Sequence, residues 1–283
     1  MITYADVETI ARELEQNWEI PTLLTDPLGN PKIAKGVPYG YWPAILHLSP
    51  ARLAGFEVCA SRTPGCTAAC LNVSGRGARM EGVHVARLKR TLYFKRDRAG
   101  FMIKLEREIA RHVRRARAIG LEPCVRLNGT SDLPWEAVRY VGVDGTRGTI
   151  LERFPDVQFY DYTKHAHRFA RPRPDNYDLT FSLADGNETH ADEAMANGAR
   201  VAVVLRNRTQ PNARYWQLPT LWNGVRVIDA DKTDLRFLDP DAVYCGLRAK
   251  GPAIRDTSGF VHDVTPAQTL EPIAVDPREW ATL

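Results

Sequence analysis

The chain has 283 residues, 44% hydrophobic and 25% charged, an ordinary globular make-up with enough length to bury a core without disulfide staples. No stretch reaches the roughly 18 consecutive apolar residues that span a bilayer. The net charge of +4 is too mild to name a polyanionic partner by itself.

The N-terminus, Met1 to Glu8, is acidic and lacks the basic and apolar regions of a secretory signal, so a cytoplasmic protein is expected. Ala5, Val7, Ile10, Leu14 and Trp18 recur at helical spacing and predict a helix over 4–19. Prolines and glycines break the chain from Pro21 to Pro43, which reads as loop or extended arm. Residues 1–43 are therefore set off as helix and arm, 44–265 as an α/β domain of catalytic type, and 266–283 as a tail. Ile45 to Leu48 reads as a short strand ahead of Ser49-Pro50.

Three of the five cysteines follow close together, Cys59, Cys66 and Cys70, in the spacing Cys-x6-Cys-x3-Cys. An odd total argues against a disulfide frame, and bunched thiols in such a chain are more often metal or cluster ligands. Thiolates suit zinc or iron–sulfur clusters, and three ligands leave a coordination position open. Pro64-Gly65 can turn the chain so that the sulfurs converge. A zinc site needs a fourth ligand, with His84, Cys124 or Cys245 as candidates.

Helical patterns run over 82–96 and 99–119, the second with Phe101, Leu105, Ile109, Val113 and Ala116 on one stripe. Gly120 reads as the C-terminal cap of the second. Residues 87–117 carry twelve Lys or Arg against Asp97, Glu106 and Glu108. Such a run can lie along the phosphates of DNA, RNA or a nucleotide, or form a solvated helix face.

Short β-branched and aromatic runs then recur at 124–127, 157–162, 177–181, 201–205, 225–228 and 243–245. The 136–153 and 188–198 connections can supply crossover helices, whereas 164–176 is too broken by proline. The expected fold is α/β, a partial or irregular (β/α) barrel with mostly parallel strands. Polar clusters follow the strand ends, where such folds bind ligands. Asn128, Gly129, Thr130, Ser131 and Asp132 can cradle an amine or phosphate. Tyr160 and Asp161 alternate across a strand, and Lys164 after it is a candidate anion contact or general acid. These three are the candidate catalytic residues, and Ser182 joins the cofactor-binding set. His165 and His167 read as surface residues.

The segments Glu57–Gly77, Arg126–Asp132, Phe154–Thr163, Leu179–Ser182 and Gly246–Gly251, with Phe101, resemble the mycobacteriophage gene-88 protein family across residues 45–262. That resemblance implies a phage or mobile-element origin and expression inside a bacterial cell, but no assigned activity. A second resemblance is to radical SAM enzymes, which hold a [4Fe–4S] cluster on a three-cysteine loop after the first strand of a partial barrel. It implies that Cys59, Cys66 and Cys70 hold the cluster, that Asn128–Asp132 binds the methionyl amine of S-adenosylmethionine, and that Ser182 faces the ribose. The usual spacing there is Cys-x3-Cys-x2-Cys, from which this chain departs.

The leading expectation is an iron–sulfur enzyme that modifies a nucleotide or nucleic acid. One alternative is a non-catalytic zinc protein that binds nucleic acid through 87–117. The other is a zinc-containing barrel enzyme that modifies a nucleobase without S-adenosylmethionine, with Asp132 or Asp161 in acid–base or nucleophilic roles.

Overall fold

Runs of Val, Ile, Phe and Tyr at strand length pair side by side once connections of a dozen or more residues let them run parallel. The computed structural model describes residues 9, 12–13, 21–70, 80–210 and 216–265. The 4–19 helix, Gly75-Arg76-Gly77 and the 266–283 tail lie essentially outside these residues.

The strands are β1 Leu24–Thr25, β2 Tyr41–Leu46, β3 Glu122–Arg126, β4 Arg139–Val141, β5 Arg147–Thr149 and β6 Gln158–Thr163. They continue with β7 Tyr177–Ser182, β8 Arg200–Asn207, β9 Leu221–Trp222, β10 Val225–Asp229, β11 Tyr244–Arg248 and β12 Val261–Val264. One ten-stranded sheet has the order β1-β2-β3-β6-β7-β8-β11-β10-β9, with β12 added on β8. All its pairs are parallel except β1 with β2 and β9 with β10 at the two ends. The expected α/β fold with mostly parallel strands is present, and the sheet stays open instead of closing into a barrel.

The helices are α1 Pro31–Ala34, α2 Pro64–Ala68, α3 Glu81–Arg96, α4 Arg98–Ala118, α5 Ile150–Arg153 and α6 Glu188–Ala196. In α4, Phe101, Leu105, Ile109 and Ala116 are fully buried, as the four-residue stripe requires. Asp97 starts it by accepting a hydrogen bond from the Gly100 amide at 2.8 Å. Phe101, Leu105 and Ile109 of that stripe pack with Leu46, Val125, Phe159, Leu179, Phe181, Val201 and Val203 in the main core. Each such side chain contributes about 1.5–3 kcal/mol by leaving water.

Alternation puts the even-numbered residues of β3, β6 and β7 on the other face: Cys124, Arg126, Tyr160, Tyr162, Asp178, Thr180 and Ser182. The strap 233–239 covers the lower part of that face. Leu235 packs with Cys124 and Tyr160, and Asp234 meets Arg126 at 2.8 Å, both almost fully buried.

One sequence expectation changes. The 136–153 connection holds no crossover helix but the β4–β5 hairpin followed by the single turn α5. β2 starts at Tyr41, with β1 paired to it and α1 packed against it. Among the described residues, no helix is long and apolar enough to cross a membrane.

Candidate functional site

Because the central strands run parallel, the segments that leave them gather along one edge. The cysteine loop leaves β2 at that edge and lies over the exits of β3, β6 and β7. Its start is pinned where the Asp132 amide donates to the Val58 carbonyl at 2.8 Å. The Cys59 sulfur lies 3.6 Å from the Thr130 carbonyl oxygen. Ser61 Oγ is 3.1 Å from His165 Nδ1, just past β6. Thr63 donates its hydroxyl to Asp185, past β7, and the Gly65 amide donates to the other Asp185 oxygen at 3.1 Å.

Thr63 also caps α2, accepting from the Cys66 amide at 3.1 Å, which fixes Cys66 in the first turn. Cys70 follows the helix, and all three thiols are partly exposed and free of disulfides. They share one electrostatic neighbourhood. Burial pushes the Cys59 thiol up to about 12, and the nearby Cys70, Asp132 and Cys66 add to the rise, against an opposing backbone hydrogen bond. Arg87 of α3 stands near Cys70: burial lowers its proton affinity, and the thiolate charge offsets part of that.

The donor set therefore has the softness that zinc or an iron–sulfur cluster takes. Among the described residues, no three His, Cys, Asp or Glu side chains stand close enough to hold one metal ion. Cys124 and Cys245, named as possible fourth zinc ligands, are fully buried in two apolar clusters of the sheet.

The Asn128–Asp132 loop is braced from below. Asn128 donates its amide to Asp161 at 2.6 Å, and its side-chain oxygen accepts from Ser131 Oγ, the Leu133 amide and Trp135 Nε1. The Gly129 amide reaches the Leu46 carbonyl, and a Cβ at Gly129 would stand 2.5 Å from His47 Nδ1. This glycine allows close approach to β2. No hydrogen bond between described residues takes up the amides of Thr130 and Ser131.

Lys164 and Ser182 meet at 2.9 Å on the open face, both half-buried. The Lys164 amide donates to Asp132 at 2.9 Å, which ties the β3 and β6 exits together. Cys59, Cys66, Cys70, Thr130, Asp132, Lys164 and Ser182 are thus gathered along one edge. Tyr160 and Asp161 are not at its surface. Tyr160 is 1% exposed beneath the strap, in edge contact with Phe237. Asp161 is 2% exposed, and its carboxylate accepts from Asn128 and from Tyr177 Oη at 2.8 Å. It holds the Asn128 loop in place.

Sequence reasoning missed Ser61, His165 and Asp185. His165 stands between Ser61 and Asp132, the latter at 3.9 Å. The 87–117 run also divides. Arg87 points inward, Arg90 donates to the Thr22 carbonyl, and Arg115 and Arg117 pair with Asp26 and Asp156. Arg107, Arg111 and Arg114 lie exposed along α4.

A protein-family model described as Gene product 88 matches residues 22–264. It bears out the gene-88 resemblance and says nothing for the likeness to radical SAM enzymes. No curated protein and no solved structure matches the chain.

Proposed function

The chain belongs to the Gene product 88 family, and we propose that it is an iron–sulfur enzyme of radical-SAM-like type. In this reading Cys59, Cys66 and Cys70 hold a [4Fe–4S] cluster above the strand ends. The observation that carries it is the docking of the cysteine loop across the exits of β3, β6 and β7, with its three thiols in one neighbourhood. A loop that held a merely structural knuckle would need no contact with three successive strand exits.

When bound, the cluster would offer an open iron to a small ligand, S-adenosylmethionine being the first candidate. The chain's own residues do the rest. The amides of Thr130 and Ser131 can donate to a polar group of that ligand. Lys164, whose ammonium meets only the Ser182 hydroxyl among described residues, supplies a positive charge for a carboxylate or phosphate. Lys164 and His165 are the half-buried groups placed to carry a proton at this edge. Anaerobic purification and reconstitution should give coloured protein with about four irons per chain, lost in Cys59→Ser, Cys66→Ser and Cys70→Ser. Colourless, iron-free protein after reconstitution rejects the cluster.

A second reading is a zinc protein that binds DNA or RNA without catalysis. The exposed row Arg107, Arg111 and Arg114 favours it. One zinc per chain and no iron would move the conclusion there.

A further inference from the structure

We propose that Asp185 is a positioning residue: it latches the cysteine loop onto the sheet and thereby sets the direction of Cys66. The inference rests on the reading of that loop as the site, although its contacts stand without it. Asp185 is presented by the turn after β7, and that turn is itself braced. Asn187 accepts from the Ala184 amide at 2.8 Å and donates to the Ser182 carbonyl at 3.2 Å. Both carboxylate oxygens of Asp185 then face the loop, one taking the Thr63 hydroxyl and the other the Gly65 amide. A carboxylate accepts on both oxygens at once, and charge-assisted bonds of this kind are about twice as strong as neutral ones.

Thr63 passes the constraint on, because its hydroxyl oxygen also receives the Cys66 amide. Asp185, Thr63 and Cys66 therefore form one continuous chain of contacts. The seat is closed from the other side. A Cβ at Gly65 would collide with Ser258, Asp185 and Phe260, so the start of α2 sits in a saddle that only glycine fits. The saddle joins the β7 exit to the approach of β12, at separations of 120 and 122 residues for the Asp185 bonds. An amide at position 185 would keep one acceptor and lose the other.

Amide hydrogen exchange on the full chain, without metal, tests this. In Asp185→Asn, the Gly65 and Cys66 amides should exchange about tenfold faster, the equivalent of about 1.4 kcal/mol, while amides of β3, β6 and β7 keep their protection. Thr63→Ala should reproduce the change at Cys66. Unchanged exchange at Gly65 and Cys66 overturns the proposal, as does a uniform rise across the sheet, which would report general loosening. In reconstituted protein, iron should leave the Asp185→Asn variant faster to a chelator, and equal release rates overturn the proposal too. Wild-type protein that takes up no iron, yet shows the selective exchange, removes the cluster reading and leaves the latch standing.

Discussion

The Asp161 carboxyl lies out of water between Asn128 and Tyr177, and burial pushes it up to about 7, against the hydrogen bond from Asn128 and the charge of Arg126. In the unfolded chain the same group titrates near about 4. Below that both states hold the proton and the group is neutral in the balance. Between about pH 4 and 7 the unfolded chain releases its proton while the folded one keeps it, so folding stability falls as pH rises. The gap corresponds to at most about 4 kcal/mol. Asp161→Asn cannot titrate. Urea unfolding at several pH values across this window should show a flatter profile for the variant than for wild type. Parallel profiles would mean that Asp161 is ionised throughout. The result bears on function, because a carboxyl that braces Asn128 in its neutral form is a support for the Thr130–Ser131 amides, not a nucleophile.

At the scale of elements, the strap 233–239 is held to β3 by a buried ion pair. Burial alone would raise the Asp234 carboxyl, but Arg126 and then Lys32 hold it well below the usual carboxylate range. Its contribution to stability is present above the unfolded value near about 4 and is lost as pH falls through the lower folded one. Asp234→Ala leaves Arg126 charged and unanswered beneath the strap, which should cost about 3–5 kcal/mol. Arg126→Met with Asp234→Ala should recover most of that loss, measured as a coupling energy in denaturant unfolding. A double variant as unstable as the sum of the singles would show that the pair is not coupled.

Such a strap is hard to read from sequence. Asp231-Lys-Thr-Asp234 looks like any turn, and its partner is 108 residues away. Long periodic elements were legible: α4 by its buried stripe, and β6, β7 and β8 by β-branched and aromatic content. The β4–β5 hairpin was not, since Arg139–Val141 and Arg147–Thr149 are only three residues each. β12 is four residues with a polar centre, too short for a period-two signal. The same division holds at the site. Cys59, Cys66 and Cys70 are neighbours in the chain and announce themselves. Asp185 and His165 join them only through contacts spanning more than a hundred residues, and a lone Asp or His in a loop carries no local mark.

Over the whole molecule, the question is where positive charge is left to act at a distance. A net charge of +4 says little, because much of the arginine is engaged. Arg126, Arg168, Arg200, Arg206, Arg236 and Arg248 all meet carboxylates. Arg115 bridges to Asp26 at 2.9 Å, so the arm at residue 26 neutralises part of the basic run. On α4, Arg107, Arg111 and Arg114 follow the outer face, opposite the stripe of Phe101, Leu105 and Ile109 that the sheet buries. A row at spacings of four and three residues lies along one side of the helix, where it can track a phosphate backbone. If all three contact phosphates, changing them to Gln should lower the salt slope of binding by about 2.7 on duplex DNA and about 2.1 on single strands. Fluorescence anisotropy with both probes over a series of salt concentrations measures this. The sheet should be unaffected, since none of the three side chains is buried. An unchanged slope makes the row a solvated helix face and returns the question of substrate to Lys164 and the strand-edge amides.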